Sequence, residues 1–356
     1  MSVLEESLMN MVRTSRLWQE GGTVIAACSG GADSLTLTDI MAKAAEEDDV
    51  TVLVAHVHHH LRGEEADEDA RFVSAFCKDR DLSYTQFDID PQALKEKEGL
   101  SLEDAARRLR YEALETYRKK VGAQGIFVAH HEDDQAETIL MNLVRGTGTR
   151  GLRGMLPVNG YIARPFLAAT RKDMETYCKE EGLSYRTDST NGNPALLRNW
   201  VRLELLPLLA TKNPRIKAAL VQAAAVAQSD EAYLEKMAQK YLDSFSRNIF
   251  GTYDIDVGPT FDKLDLAIKS RVIRLAVKGV GGEELGFDHV KKILRLIEKG
   301  ISGKSLDVPG HVRLIYINGR LMAGRHETDR AAQREKKLEI KEKQRHASQY
   351  LKSLDR

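Results

Sequence analysis

A short segment of small and polar residues carries the most informative chemistry of the chain. It reads Ser29, Gly30, Gly31, Ala32, Asp33 and Ser34. Two adjacent glycines permit a tight turn in which successive backbone N–H groups surround a phosphate, and the serine hydroxyls add donors. The Asp33 carboxylate offers a hard oxygen to Mg²⁺. Because the segment has no lysine, it differs from the Walker A loop, and it predicts phosphate binding with Mg²⁺.

The alternative for this segment is an ordinary strand-to-helix turn in which serine and aspartate cap the helix. The chain has 356 residues. At average residue usage, the five specified positions would occur by chance with a probability of about one in a thousand. The spacing therefore favours the phosphate-binding interpretation.

A second group of polar residues comprises His130, His131, Asp133 and Asp134, with Glu137 one turn later. These residues follow an apolar run and open a segment with helical spacing, so we expect them at the same sheet edge as the glycine-containing segment. Capping of the helix by acidic residues is the alternative. Carboxylates beside a phosphate-binding turn favour Mg²⁺ over zinc.

The elements that must position these residues follow from hydrophobic patterning. Short apolar runs alternate with helical patterns in the first half of the chain, which is typical of a doubly wound α/β fold, a parallel sheet with helices on both faces. The predicted strands are Thr23–Cys28, Val50–Val57, Ser83–Ile89 and Ile126–Ala129. Ligands of such sheets bind beyond the carboxyl ends of the strands. Both polar groups directly follow a predicted strand, as this rule requires.

The remaining sequence predicts further parts. An alanine-rich helical pattern runs from Ile216 to about Phe245 and indicates a linking helix. Mixed helical and strand patterns follow at Ser270–Lys278, Phe287–Glu298, Ser305–Val308 and Val312–Tyr316. We predict an α/β domain over 1–212, the linking helix over 213–246, a smaller α+β domain over 247–326 and a charged tail, helical or disordered, over 327–356.

Composition restricts the class of protein. Hydrophobic residues make up 42% and charged residues 30% of the chain, as in folded proteins. No apolar run reaches the roughly 18 residues that cross a bilayer, so we expect a cytoplasmic protein that engages no membrane. Basic and acidic residues both number 53, so any nucleic-acid contact must use a local basic patch. The widely spaced Cys28, Cys77 and Cys178 predict neither a disulfide framework nor a CxxC site.

Several segments, in the same order, resemble the tRNA(Ile)-lysidine synthases, a family of PP-loop ATP pyrophosphatases. The resemblance rests on Ser29–Ser34, His56–Gly63, Ala106–Tyr111, Ala129–Thr138, Arg145–Leu152, Asp188–Ser189 and Arg198–Asn199. It is strong from about Val24 to Pro207 and weaker to about Arg325. It implies a PP-loop catalytic domain over 1–212 and a substrate- and tRNA-binding domain over 247–326.

Members of this family adenylate the wobble cytidine of an isoleucine tRNA with a CAU anticodon, and free L-lysine then displaces AMP. The resemblance therefore implies ATP and Mg²⁺ as cofactors, and tRNA(Ile) with a CAU anticodon and free L-lysine as partners. The product would carry lysidine, formed at C2 of the cytidine. The oligomeric state is open, with a homodimer as one option.

The resemblance also implies roles for individual residues. The predicted catalytic residues are Asp33, Arg107, His130, His131, Asp133 and Asp134. Asp33 and Asp134 are the predicted Mg²⁺ ligands, and Asp133 and Glu137 the predicted lysine ligands. ATP is expected to contact the segment Ser29–Ser34 and the loop containing His56, although the tract His56–His60 is also compatible with metal binding. The predicted RNA contacts are Arg145, Arg150, Arg153, Arg198 and Arg202.

Two other functions stay open on sequence alone. The first is another PP-loop enzyme, such as a tRNA thiolase or a nitrogen-inserting synthetase. Thiolases of this class need a reactive cysteine, a cluster or a zinc site, and no two cysteines of this chain are close in sequence. The second is a non-catalytic nucleotide- or RNA-binding module. Loss of turnover would be expected to remove carboxylates from the site, yet Asp33, Asp133 and Asp134 are all present.

Overall fold

The computed structural model describes residues 2–61, 63–186, 197–249 and 251–325. The chain divides into two compact units, with the division between Gln228 and Ser229. The segment Asp188–Ser189 and the predicted tail 327–356 lie outside the described residues. Within the described ranges, none of the helices combines the length and apolar character that a bilayer span requires.

A mostly parallel sheet forms the centre of the first unit. Its strands are β1 (Thr23–Ala27), β2 (Thr51–His58), β3 (Ser83–Asp88), β4 (Gly125–Phe127), β5 (Val158–Asn159) and β6 (Ile162–Ala163). They are ordered β3-β2-β1-β4-β6-β5, and β5 with β6 forms the antiparallel pair. The four predicted strands are confirmed to within two residues at each end. β5 and β6, with two residues each, are too short to show an alternating pattern.

Helices cover both faces of this sheet. They are α1 (Val3–Thr14), α2 (Ala32–Asp48), α3 (Glu64–Asp79), α4 (Pro91–Glu98), α5 (Leu102–Val121), α6 (Glu132–Val144), α7 (Thr149–Leu152), α8 (Arg171–Glu180), α9 (Leu197–Trp200) and α10 (Leu206–Ala210). Successive residues of a strand point to opposite faces. Val24 and Ala26 accordingly pack in one hydrophobic cluster with α1, α2 and α8, whereas Ile25 packs in another with α5. The predicted doubly wound fold is confirmed.

Local sequence explains where two of these helices begin. The Ser101 hydroxyl accepts a hydrogen bond from the Asp104 N–H and caps α5. Thr170 and Asp173 form a capping box at the start of α8, where the Thr170 hydroxyl accepts from the Asp173 N–H. Both helices therefore begin at a side chain that satisfies a first-turn N–H group.

The helix α11 (Ile216–Phe245) has the bounds that the alanine-rich pattern predicted. The second unit contains an antiparallel sheet ordered β7-β8-β11-β10-β9. Its elements are β7 (Ser246–Ile249), β8 (Thr252–Asp256), α12 (Pro259–Asp262), α13 (Leu266–Gly279), α14 (Phe287–Lys299), β9 (Ser305–Val308), β10 (Val312–Ile317) and β11 (Arg320–Arg325). The smaller α+β architecture is confirmed. Its own hydrophobic core includes Ile255, Phe261 and Leu314.

Candidate active site

The glycine-containing segment forms the turn between β1 and α2, at the carboxyl edge of the sheet. Gly30 has φ +90°, a conformation that L side chains rarely adopt. The Ser34 hydroxyl accepts a hydrogen bond from the Ser29 N–H at 3.1 Å and donates to the Gly31 carbonyl at 3.1 Å. The turn is thereby fixed, while the first-turn amides of α2 have no partner within the helix. Such a helix start attracts an anion.

A histidine lies between two carboxylates at this edge. The His131 Nε2 atom is 3.6 Å from Asp33 Oδ2 on α2 and 3.5 Å from Asp134 Oδ2 on α6. His131 Nδ1 accepts a hydrogen bond from the Asp133 N–H, and Asp134 accepts one from the His131 N–H. These bonds hold the imidazole and Asp134 in place. The structure therefore brings Asp33 together with His131 and Asp134, which lie about a hundred residues later in the sequence.

The two carboxylates of this cluster have opposite electrostatic environments. Burial raises the pKa of Asp33, and the Oδ1 atom of this residue is buried without a hydrogen-bond partner. Burial also acts on Asp134, but His131, Arg198 and the hydrogen bond from the His131 N–H outweigh it and lower the pKa of Asp134. An unpartnered carboxylate oxygen beside a second, ionised carboxylate is a donor set that suits Mg²⁺.

His130 is held in its neutral form. Burial lowers its pKa to about 3, with Arg164 and Arg107 contributing positive charge and Asp134 opposing them. Its Nδ1 atom is buried without a hydrogen-bond partner. Arg107 is half-buried on α5, with its guanidinium 5.1 Å from the Tyr111 ring centroid. The predicted residues His130 and Arg107 therefore act on each other electrostatically.

Glu137 lies one turn after Asp134 on α6 and is fully buried. Its carboxylate accepts hydrogen bonds from Arg198 Nε at 3.0 Å and from Arg202 Nε at 2.6 Å and Nη2 at 3.1 Å. Glu137 was predicted to bind lysine, and the two arginines were predicted to contact RNA. The structure joins the three side chains in one ion-pair cluster, an arrangement that the sequence did not reveal.

Asp133 faces an open cavity of about 540 Å³. Its Oδ2 atom lies 2.9 Å from the ammonium of Lys217, near the start of α11. Glu132, Arg171 and Arg202 line the same cavity. Lys217, Glu132 and Arg171 were not among the predicted site residues. Lys217 lies in the alanine-rich helix, whose pattern predicted only a link between domains, so it carried no signal of chemistry.

His56 lies on β2 and is buried. Its Nδ1 atom is 2.9 Å from the Cys28 carbonyl oxygen, directly before the glycine-containing turn. The predicted ATP contact is thus adjacent to the predicted phosphate site.

The loop after α6 contains the other predicted RNA contacts. Arg145 is exposed, and Arg150 and Arg153 are half-exposed. The Arg153 carbonyl accepts a hydrogen bond from the Gln228 side chain at 2.7 Å, which ties this loop to α11 within the first unit.

All three cysteines are buried, and none is in a disulfide. Burial raises the pKa of each thiol, for Cys77 to about 12. Among the described residues, no group of cysteines has the spacing of a metal or cluster site. These thiols lack the accessible, acidic character of reactive cysteines.

Comparisons with known proteins agree with this geometry. The PP-loop domain family matches residues 2–209. The chain is similar to the tRNA(Ile)-lysidine synthase of Caldanaerobacter subterraneus subsp. tengcongensis, with 33% identity over 91% of this chain and 69% of the relative. It is 38% identical to that of Geobacter sulfurreducens over 83% and 64%, and 35% identical to that of Geobacillus kaustophilus over 85% and 67%. The chain thus spans about two thirds of the length of these relatives.

A solved structure shares the fold. It is that of the U34-tRNA thiolase NcsA from Methanococcus maripaludis with its [4Fe-4S] cluster, which matches with a TM-score of 0.50 and 16% identity. The match covers 63% of this chain and 78% of the thiolase chain. At this level of identity the match concerns the fold alone.

Proposed function

The chain belongs to the tRNA(Ile)-lysidine synthase family of PP-loop proteins, and we propose that it joins free L-lysine to C2 of the wobble cytidine of tRNA(Ile) with a CAU anticodon. ATP would first adenylate the cytidine and release pyrophosphate, and lysine would then displace AMP. The observation that carries this proposal is the position of the Ser29–Ser34 turn, opposite the acidic start of α6 at one sheet edge.

The turn supplies the binding site for the leaving pyrophosphate in this proposal. Backbone amides at the start of α2 and the hydroxyls of Ser29 and Ser34 would donate to its oxygens. Asp33 and Asp134 would hold Mg²⁺, and the buried, unpartnered Oδ1 of Asp33 fits this role. When bound, Mg²⁺ neutralises charge that develops on the phosphates.

Arg107 and His130 would supply the remaining interactions with the reactants during adenylation. Arg107 would neutralise charge on the α-phosphate, because a guanidinium presents several donors in one plane. His130 is neutral at physiological pH, since its pKa is lowered to about 3. It can therefore position the phosphate or the cytosine through hydrogen bonds without adding charge.

The lysine step requires an anionic site for an ammonium and a base for the amine that attacks. Asp133 already binds an ammonium, that of Lys217, at 2.9 Å. We propose that it binds the substrate in the same cavity. Burial and the neighbouring Asp133 raise the pKa of Glu132, which makes its carboxylate a stronger base than an ordinary glutamate. Glu132 would accept the proton that the ε-ammonium must lose before attack.

The interactions of Glu137, Arg198 and Arg202 favour a supporting role for all three. A carboxylate with three arginine hydrogen bonds is neutralised and cannot readily exchange its partners for a ligand. We propose that this cluster holds α6 against α9 and the helical turn Val201–Leu205 that follows it, with RNA contacts left to the loop from Arg145 to Arg153. The second unit, over the predicted range 247–326, would bind other parts of the tRNA.

A thiolase is the main alternative with the same fold. The chemistry of sulfur transfer requires an accessible thiolate or a cluster. Burial of Cys28, Cys77 and Cys178 is unfavourable to both. We therefore do not adopt sulfur transfer as a second function.

The proposal is tested by incubating the full chain with ATP, Mg²⁺, labelled L-lysine and tRNA(Ile) transcript with a CAU anticodon. Label is expected to enter the RNA, with one AMP and one pyrophosphate formed per lysine. A transcript with a different wobble base is the control and should remain unlabelled. If AMP forms with another acceptor while the CAU transcript stays unlabelled, the PP-loop chemistry stands and the lysidine assignment is wrong.

A further inference from the structure

Three side chains outside the proposed active-site cluster converge where β2 and β3 end. They are His58, His60 and Asp88, and one ligand atom from each lies within 4.8 Å of the others. His60 Nε2 is 2.9 Å from Asp88 Oδ1, and His58 Nδ1 is 3.9 Å from the same oxygen. The His58 and His60 rings lie 4.0 Å apart between centroids. Among the described residues, no other set of histidine, cysteine or carboxylate side chains converges in this way.

The distances suit a tetrahedral ion. Zinc bonds to nitrogen and oxygen of about 2.0–2.2 Å place neighbouring ligand atoms about 3.3–3.6 Å apart in a tetrahedron. The two distances to Asp88 Oδ1, 2.9 Å and 3.9 Å, lie on either side of this range. A side-chain movement of about half an ångström would equalise them.

A fourth residue can orient the buried histidine. The His58 side chain is 2% exposed, and its Nε2 atom lies 3.0 Å from Asp67 Oδ1 but outside hydrogen-bonding geometry. His58 Nδ1 accepts a hydrogen bond from the His60 N–H at 3.3 Å, so Nδ1 carries the lone pair and Nε2 carries the hydrogen. A small rotation of the ring would exchange this bond for a metal ligand bond at Nδ1 and let Nε2–H donate to Asp67. Carboxylates beyond the ligand shell commonly fix metal-binding histidines in this way.

The backbone at His60 is an independent observation. This residue has φ +52°, in the left-handed region that disfavours side chains with a Cβ atom. Its imidazole is held by Asp88, which also accepts a hydrogen bond from Gln86 at 2.9 Å. The strained conformation aims the ring of His60 at the ring of His58.

We propose that His58, His60 and Asp88 form a binding site for a borderline divalent metal ion, with Zn²⁺ as the best match. Two imidazoles and one carboxylate suit zinc, whereas Mg²⁺ prefers oxygen ligands and retains its waters. Water would complete the tetrahedron. The ion would join the loop after β2 to the end of β3, beside the predicted ATP contact His56, whose ring lies 6.4 Å from that of His58 between centroids.

The test is titration of the metal-free full chain with Zn²⁺ by calorimetry, in the absence of nucleotide, together with thermal unfolding. One equivalent of Zn²⁺ is expected to bind and to raise the unfolding temperature. X-ray absorption of this complex should show two imidazole ligands. His60→Gly should lose this binding step yet remain folded, because glycine favours the left-handed backbone. Asp67→Asn should weaken binding by about tenfold.

Two variants serve as controls. His311→Gly makes the same change at an exposed histidine of the second unit with φ +57°, and it should bind Zn²⁺ like the unaltered chain. Asp33→Asn alters the active-site carboxylates and should also retain the binding step. Equal affinity in the unaltered chain and in His60→Gly would overturn the proposal. Loss of binding in Asp33→Asn alone would assign the ion to the active site instead.

Discussion

Two acidic clusters, one around Glu137 of α6 and one that joins Asp134 of α6 to Asp33 of α2, are built in opposite ways. Around Glu137, a buried carboxylate accepts three hydrogen bonds from Arg198 and Arg202. Around Asp33, one carboxylate oxygen is buried with no hydrogen-bond partner, and the other oxygen lies 3.6 Å from His131 Nε2. The first cluster is complete within the protein, whereas the second leaves positions open that an added cation can fill.

The contrast extends to the rest of the chain. Among the described residues, buried side-chain polar atoms without a hydrogen bond occur only in the first unit. In the second unit, the buried Glu231 is paired with Arg271. Since an unpartnered buried polar group costs about 1–3 kcal/mol, the retention of Asp33 Oδ1 at the carboxyl edge of the sheet indicates a site that is completed by binding.

Replacement of Asp33 by asparagine should separate activity from stability. The loss of an anionic ligand should reduce AMP formation by about a thousandfold. Because burial raises the pKa of Asp33 above its value in the unfolded chain, its ionised form costs folding free energy as the pH rises through that pKa. Asp33→Asn should therefore unfold at the same temperature as the unaltered chain at neutral pH, or higher. Pyrophosphate release and calorimetry measure the two effects.

The control for this variant is a neighbour in the same turn. Ser29→Ala removes a hydroxyl while retaining both carboxylates, and it should reduce AMP formation far less than Asp33→Asn. Equal losses in the two variants would mean that the turn acts through its hydroxyls and that Asp33 holds no cation.

Replacement of Glu137 by glutamine should have the opposite effect and reduce stability more than activity. It removes the buried carboxylate that Arg198 and Arg202 share and should destabilise the first unit by about 3 kcal/mol. Denaturant unfolding measures this difference. Glu132→Gln, on the same helix, is the matched control and should cost little, since Glu132 is only partly buried and its pKa is already raised. A stable Glu137→Gln protein with a raised KM for lysine would instead make Glu137 the lysine ligand.

Much of the fold could be predicted from sequence because its signals are local. Apolar runs of β1 to β4 and capping residues such as Ser101 and Thr170 specify their elements within a few residues. The two-residue strands β5 and β6 carry no periodicity, and their place in the sheet depends on contacts with β4 and on each other.

The site could be predicted in part, for the same reason. The spacing of glycine and serine predicts the Ser29–Ser34 turn. Because ligands bind beyond the carboxyl ends of parallel strands, the same rule predicts that this turn lies near Asp134. The partners of Glu137 and Asp133 could not be predicted. Arg198 and Lys217 reach them from distant helices, and a surface-type charge pattern does not show which arginine or lysine turns inward.

The pH dependence of the Mg²⁺ requirement should distinguish the carboxylates of Asp33 and Asp134. The pKa of Asp33 is raised and that of Asp134 is lowered, so Asp33 takes up a proton first as the pH falls. Once below the pKa of Asp33, the Mg²⁺ concentration for half-maximal AMP formation should rise about tenfold per pH unit. This rise should begin above the ordinary aspartate value of about 3.9. A Mg²⁺ requirement that does not change with pH would remove Asp33 from the ligand set.

The smallest expected effect concerns Lys217. Its ammonium pairs with Asp133, the carboxylate that is proposed to bind the substrate lysine. The Asp133 and Lys217 side chains are 21% and 43% exposed, so their pairing contributes about 1 kcal/mol at most. Lys217→Ala removes this internal competitor, and the KM for lysine should fall by up to about fivefold with kcat unchanged. Lys212→Ala, an exposed lysine outside the cavity, should leave both constants unchanged. A higher KM for lysine in Lys217→Ala would show instead that Lys217 positions Asp133 for the substrate. The Asp133–Lys217 pair would then be a structural ion pair, as Glu137 is with its two arginines.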